Sequence, residues 1–319
     1  MTKSEFTHDP LGAASVPLIS TPLARAWLSL EGLSVGDAFG ERAFGTVLCP
    51  DSQRHGGGLD AAWSWTDDTA MAVAIIEVLE RFGEVKQDEL AAIFARNYGR
   101  EPGRGYGAGA HKILAAIGER TPWRVAAQTA FGGEGSCGNG GGMRAAPIGA
   151  YFCDDLERVV VQARLSAEPT HAHLDGIAGA IGIAVTAAMV FAGERDAATI
   201  IAAATSYMPE GETKRQMLRL VGLPDWRSAD AMTVVAEVGN GSYVRSSDTV
   251  PFAIWCATRF LDDYQAACHA CWRVGGDVDT TCAMVGGIIV GAVGVAGIPA
   301  AWHARREPLP MATSFAPHE

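Results

Sequence analysis

Two short acidic segments carry the residue types most able to do chemistry. The first is Thr66-Asp67-Asp68-Thr69. The second is Gly275-Gly276-Asp277-Val278-Asp279-Thr280-Thr281. Each stands just before a long apolar run, so the plainest reading is a helix cap, because Thr and Asp side chains satisfy free N–H groups at a helix start. The second segment also supports a different reading. Asp277 and Asp279 are spaced i, i+2 beside two glycines, which turns both carboxylates toward one point. The helix that follows reads as buried, and buried carboxylates need a counter-charge. Neither Lys nor Arg lies in the segment, whereas a hard divalent cation would supply that charge through oxygen ligands. Together the two segments offer four carboxylates with Thr hydroxyls, enough for one or two Mg²⁺ ions. No Cys or His is interleaved, which disfavours zinc. Two such ions about 4 Å apart can orient a water and grip substrate hydroxyls.

Three further segments are candidates for binding. Gly132 to Arg144 is a glycine-rich run that contains a GxGxxG spelling. No strand precedes it and no βαβ pattern surrounds it, so a dinucleotide fold is rejected. A linker and a backbone cradle for a diphosphate remain as alternatives. Glu168-Pro169-Thr170-His171-Ala172-His173 holds a His pair whose hydrogen-bonding role at a helix start is as natural as metal binding. Gly103-Arg104-Gly105-Tyr106-Gly107 lines a pocket or forms a turn. Cys268-His269-Ala270-Cys271 lacks a second ligand pair and reads as core packing.

Helices must position these groups. Met71, Ile75, Val78, Leu79 and Phe82 form one apolar stripe at helical period, which starts at the Thr66 segment and ends at Gly83. Further helices are expected at 87–98, 107–117, 123–130, 155–166, 197–206, 214–221, 229–238, 250–259 and 262–274. Gly176–Gly193 and the uncharged stretch Thr280–Trp302 are long enough to cross a bilayer. Both read as buried core helices instead, the second being rich in Gly, closed by Pro299 and lacking a basic flank. Alternating strand patterns are few, so the fold class is all-α. The organisation is an N-terminal arm over 1–22, expected to be flexible, one domain over 23–305 and a C-terminal tail over 306–319.

Composition narrows the partners. With 48% hydrophobic and 19% charged residues the chain of 319 can build a sizeable core. A formal net charge of −11 and the lack of any Lys/Arg run disfavour nucleic acid and anionic membranes. Seven irregularly spaced cysteines suit reduced thiols, and the first residues show no signal peptide, so a cytoplasmic location is expected.

Taken in order, these motifs resemble the ADP-ribosylglycohydrolase family, whose members include the enzyme that reactivates dinitrogenase reductase. The resemblance runs from about Leu28 to Trp302. It rests on Gly36-Asp37-Ala38-Phe39-Gly40, Trp65-Thr66-Asp67-Asp68-Thr69, Arg104-Gly105-Tyr106-Gly107, Gly138-Asn139-Gly140 with Met143-Arg144, Thr170-His171 and Gly276-Asp277-Val278-Asp279-Thr280. It implies a compact single-domain orthogonal helical bundle with two Mg²⁺ ions, or Mn²⁺ in their place. It implies that Thr66, Asp67, Asp68, Asp277, Asp279 and Thr280 are the ligands. It implies that Ser136, Cys137, Gly138, Asn139, Met143 and His171 line an ADP-ribose cleft together with Arg104, Gly105, Tyr106 and Gly107, while Arg144 supports the loop. Asp67, Asp68 or Asp279 would serve as base for a water. Some members place a functional Glu seven residues after the Asp of the Gly-Asp motif. Phe44 stands there in this chain, and the nearby acid is Glu41. Glu41 is therefore the fourth catalytic candidate, and the departure bears on which bond is cleaved.

The expected function is metal-dependent removal of ADP-ribose from a modified protein side chain, with arginine as the linkage and free ADP-ribose as product. A biological role as an immunity factor against an ADP-ribosyltransferase toxin is a further expectation, motivated by the arm. The alternatives are a non-catalytic ADP-ribose-binding protein of the same fold and another Mg²⁺-dependent nucleotide hydrolase.

Overall fold

In the computed structural model the described residues are 21–48 and 62–310, with 45–48 described in their backbone only. The expectation of a flexible arm falls almost wholly outside them, as do Cys49 and the end of the C-terminal tail. Among the described residues the secondary structure is α-helical, with two 3-10 turns and no strand. The helices are α1 Pro22–Leu48, α2 Asp67–Phe82, α3 Gln87–Arg100, α4 Ala108–Gly118, α5 Trp123–Thr129, α6 Gly140–Met143, α7 Ala146–Tyr151 and α8 Leu156–Ala167. They continue as α9 Leu174–Phe191, α10 Ala197–Tyr207, α11 Glu212–Gly222, α12 Ala231–Val238, α13 Ser246–Arg259, α14 Tyr264–Val274, α15 Val278–Val293 and α16 Ala300–Arg305.

The centre of the fold is the pairing of α1 with α15, which joins the two ends of the chain. Gly32, Gly36 and Gly40 recur every four residues along α1 and so form one bare stripe. A Cβ on Gly32 would lie 2.3 Å from the Gly286 carbonyl oxygen, and one on Gly36 would lie 2.2 Å from that of Cys282. The two backbones therefore touch, and no side chain larger than hydrogen fits between them. Tyr264 of α14 ties the same crossing by donating its hydroxyl to the Gly32 carbonyl at 2.6 Å. Ser29 donates likewise to Gly287 at 2.8 Å.

Helices α9 and α15 are both buried along most of their length. The apolar stretch over 280–302 is not one helix: α15 stops at Val293, where Gly294 takes a positive φ of 65°. On α2 the expected stripe is buried at Met71, Ile75, Val78 and Leu79. Phe82 instead stands 38% exposed at the helix end, with the Arg81 guanidinium 4.8 Å over its ring. Cys268 and Cys271 are fully buried in the core, and the described cysteines are free thiols. Residues 306 and 307 are tied back to the fold: Arg306 donates to Glu31 at 2.7 Å, and Glu307 accepts from Arg104 at 2.6 Å.

Candidate functional site

The first turns of α2 and α15 meet. The Thr280 hydroxyl lies 3.4 Å from Asp68 Oδ2, across 212 residues of sequence, and the Thr66 hydroxyl lies 3.2 Å from the same oxygen. Five acids, Asp37, Asp67, Asp68, Asp277 and Asp279, act on one another here.

Asp37 organises the α2 side. Its Oδ2 accepts from Thr66 N at 2.9 Å, Thr69 N at 3.1 Å and Thr69 Oγ1 at 2.6 Å, and its Oδ1 accepts from Thr66 Oγ1 at 2.9 Å. An acid from α1 thus caps the start of α2, which leaves Asp67 and Asp68 free of that task. Sequence reasoning placed Asp37 in a motif but gave it no role. The signal was a lone acid in an otherwise apolar stretch of α1.

On the α15 side, Asp277 precedes the first turn, yet its side chain makes no capping hydrogen bond. Its Oδ2 accepts instead from Asn139 Nδ2 at 2.6 Å, and that amide also donates to Thr249 Oγ1 at 3.1 Å. The turn before it is tight. Gly276 has φ 82°, and a Cβ there would lie 2.1 Å from the Asn240 carbonyl oxygen. Thr249 and Asn240, which seat Asn139 and Asp277, carry no sequence signal of their role.

The electrostatics are unusual for a helix cap. Burial raises Asp37 to about 6, and burial with the charge of Asp37 raises Asp67 to about 7. Burial and the neighbouring carboxylates push Asp68 and Asp279 well above the ordinary range. Asp277 is raised by burial and lies within hydrogen-bonding reach of Asp279, a pairing that needs a shared proton. Two buried oxygens, Asp68 Oδ1 and Asp279 Oδ1, have no hydrogen-bond partner. Such orphaned acceptors are costly unless a cation or proton satisfies them. Among the described residues no three His, Cys, Asp or Glu side chains already stand in metal-coordinating geometry. The donor set is nonetheless all oxygen, dense and uncompensated, which fits a hard divalent cation better than a soft one.

A buried cation, Arg144, acts on Asp67 and is held down to about 9 by its burial. It donates to the Gly140 carbonyl at 2.9 Å, the Ser166 carbonyl at 2.9 Å and Thr170 Oγ1 at 2.8 Å. It therefore supports the glycine-rich turn. Thr170 Oγ1 lies 2.7 Å from His171 Nδ1 and donates to the Ala167 carbonyl at 3.5 Å. Burial, and then the charge of Arg144, lowers His171 to about 3, so the ring is neutral. A Cβ on Gly138 would lie 3.4 Å from His171 Nε2 and one on Gly140 3.2 Å, which sets this nitrogen against the Gly138–Gly140 turn.

That turn is ordered rather than a linker. Asn139 N donates to the Val244 carbonyl at 3.2 Å, Ser246 N to the Cys137 carbonyl at 3.0 Å and Ser246 Oγ to the Gly138 carbonyl at 2.8 Å. Ser136 accepts from Gly138 N at 3.2 Å, and Met143 is buried beneath.

The Arg104–Gly107 segment borders α2. Its Arg104 carbonyl accepts from Asp67 N at 2.7 Å, and Gly105, at φ 93°, passes so close that a Cβ would lie 3.6 Å from Asp67 Oδ1. Tyr106 is buried edge-on to Tyr98, and burial drives its hydroxyl well above the usual phenol range. Gly107 opens α4. The Arg104 guanidinium is engaged elsewhere, donating to Glu307 and Glu101 and stacking 3.7 Å over Trp65. A cavity of about 470 Å³ beside Thr66 is lined by Glu41, Trp65, Glu101, Arg104 and Gly105. Phe44 stands 40% exposed.

Comparison with known proteins gives the family and the fold. The family model described as ADP-ribosylglycohydrolase matches residues 20–315. The human protein named ADP-ribosylhydrolase ARH3 is 32% identical over 288 residues, covering 80% of this chain and 78% of its own. The chicken protein of the same name is 29% identical over 337 residues, covering 91% of each. A solved structure described as an ADP-ribosylglycohydrolase-related protein complex superposes with a TM-score of 0.62 at 18% identity, over 91% of this chain and 94% of that one. That last likeness concerns the fold.

Proposed function

The chain belongs to the ADP-ribosylglycohydrolase family, and from that premise we propose that its acidic centre hydrolyses the bond between ADP-ribose and a modified protein side chain with the help of divalent cations. One observation carries the proposal: buried carboxylates from the two ends of the chain converge with two oxygens left unpartnered. A set of helix caps has no reason to do so. Thr66, Asp67, Asp68, Asp277, Asp279 and Thr280 would hold Mg²⁺, as two ions, with Mn²⁺ as substitute. When bound, the ions supply a polarised water and a grip on ribose hydroxyls.

The remaining roles follow from this chain's own atoms. The Gly138–Gly140 turn offers backbone that a diphosphate can approach closely. His171, neutral, sets its Nε2 beside it. Asn139 holds Asp277 in place. A carboxylate of Asp67, Asp68 or Asp279 takes the proton from the attacking water, a task suited to acids whose proton affinity is raised. The carboxylates also favour the positive charge that develops on the ribose as the glycosidic bond breaks.

The cavity at Glu41 adjoins Thr66, and an acid there suits a cationic leaving group, the basis for an arginine linkage, although Glu101 is already paired with Arg104. The human and chicken relatives carry the name ADP-ribosylhydrolase ARH3, so serine stands beside arginine in the test. Peptides carrying ADP-ribosyl-arginine and ADP-ribosyl-serine are incubated with the protein, with and without Mg²⁺. Release of ADP-ribose from either, only with the cation, supports the proposal, and its distribution assigns the linkage. No release from any linked substrate with Mg²⁺ or Mn²⁺ overturns it in favour of ADP-ribose binding alone.

A further inference from the structure

Arg104 holds the peptide groups on both sides of Thr66. Its carbonyl accepts from Asp67 N at 2.7 Å, and its Nη1 donates to the Trp65 carbonyl at 3.2 Å. The guanidinium also lies 3.7 Å over the ring of the buried Trp65. Gly105 follows at φ 93°, so close that a Cβ there would lie 3.6 Å from the Thr66 Cβ as well as from Asp67 Oδ1. Thr66 caps α2 through the bond its side chain accepts from Asp68 N. A shift of Arg104 would therefore move the first turn of α2, with Thr66 and Asp67 on it.

The guanidinium is itself fixed by Glu307. Nη1 donates to Oε2 at 2.6 Å and Nη2 to Oε1 at 2.8 Å, a two-pronged pairing that sets the plane of the guanidinium as well as its position. Glu101 accepts one further bond from Nη2 at 2.8 Å, but its side chain is 55% exposed against 29% for Glu307. A single bond to an exposed acid contributes little. Glu307 does not swing freely. Its N donates to the Trp63 carbonyl at 2.8 Å, and Trp63 N donates to the Arg305 carbonyl at 2.7 Å. Arg306 beside it donates to Glu31 at 2.7 Å. The chain after α16 thus grips residues 63–67 twice: at Trp63 by its backbone, and at Trp65 and Asp67 through Arg104.

We infer that Glu307 is a positioning residue of the acidic centre: through Arg104 it sets the backbone that carries Thr66 and Asp67. Its link to cation binding rests on the function proposed above, whereas its link to the backbone at Asp67 stands without that reading.

Amide hydrogen exchange of the full chain, followed by NMR in chelator, reads the Asp67 N–H that donates to the Arg104 carbonyl. Parent, Glu307→Gln and Glu307→Ala are compared. In Glu307→Ala the Asp67 amide should exchange at least about tenfold faster, while amides in the middle of α9 keep the parent rate. Glu307→Gln, which retains one acceptor oxygen, should fall between. Mg²⁺ titrated into the same three proteins should bind at least about threefold more weakly to Glu307→Ala, with Glu307→Gln again between. Asp67 exchange at the parent rate in Glu307→Ala would overturn the assignment. So would equal acceleration at Asp67 and along α9, which marks general loosening, or undiminished Mg²⁺ affinity where the parent binds the ion. A parent that binds no Mg²⁺ counts against the proposed function instead, and the Asp67 amide alone then decides the role of Glu307.

Discussion

Gly40 and Asp279 are in backbone contact: a Cβ on Gly40 would lie 2.5 Å from the Asp279 Cα and 2.6 Å from the Val278 carbonyl oxygen. The neighbouring atoms are main chain and cannot rotate away. Gly40→Ala should therefore force α1 and α15 apart, at a cost of about 1–3 kcal/mol or more for an overpacked contact. Because the displaced residue is Asp279, Mg²⁺ affinity should fall as well. Chemical denaturation followed by a Mg²⁺ titration separates the two effects, and a variant as stable as the parent would show that the helices have slack.

Asn139 is expected to act through Asp277. Removal of its amide in Asn139→Ala leaves a buried carboxylate without its 2.6 Å donor, and hydrogen bonds to charged groups contribute about 1.5–3 kcal/mol. ADP-ribose affinity should drop by roughly tenfold or more with the circular dichroism spectrum unchanged. Gly138→Val should have a similar effect by a different route, since its side chain would crowd His171 Nε2. Unchanged affinity in a folded Gly138→Val protein would remove the turn from the binding site.

Much of this was legible in the sequence, for reasons that can be named. The helix expected at 87–98 spans Gln87–Arg100, and that expected at 197–206 spans Ala197–Tyr207, because amphipathic period and capping residues are local signals. The acid pairs were legible because charged residues at the mouth of an apolar helix are conspicuous. The partners that seat them were not. Thr249 meets Asn139 across 110 residues and Glu307 meets Arg104 across 203, and nothing local to a threonine or a tail glutamate announces such pairings. The stripe of Gly32, Gly36 and Gly40 was visible as letters, but its purpose appears only with α15 against it.

The pH response of the metal-free protein follows from the raised carboxyls. Asp67 rises from 3.8 to about 7 and Asp37 from 3.8 to about 6. The folded state therefore binds these protons more tightly than the unfolded chain. Stability contributed this way is full below about 4 and is lost as pH climbs through the folded values. His171, lowered from 6.5 to about 3, works in the opposite sense, but only below its unfolded value. Between pH 6.5 and 7.5 the carboxyls govern. In chelator the denaturation midpoint should be lower at pH 7.5 than at 6.5, and saturating Mg²⁺ should shrink or reverse the difference. A midpoint that rises with pH in chelator would contradict the crowding of charge at this site.

The sharpest test concerns the coupling of the two ends of the chain. If Asp67 and Asp277 serve one cation site, a cation that binds only the folded protein raises the melting temperature with its concentration. Asp67→Asn and Asp277→Asn each remove a charged ligand, so each should blunt that rise. Each also removes a carboxylate from a crowded, partly dry centre, so the metal-free variants should be as stable as the metal-free parent or more so. A merely structural acid would not behave this way, because its loss would lower stability with or without metal. The double variant should lose less metal affinity than the sum of the two single losses, since the second substitution acts on a site already disabled. The measurement is a Mg²⁺ titration of melting temperature for parent, both single variants and the double, after chelator treatment. Strictly additive losses, or a parent that does not respond to Mg²⁺ or Mn²⁺, would separate the acid pairs into two independent helix starts.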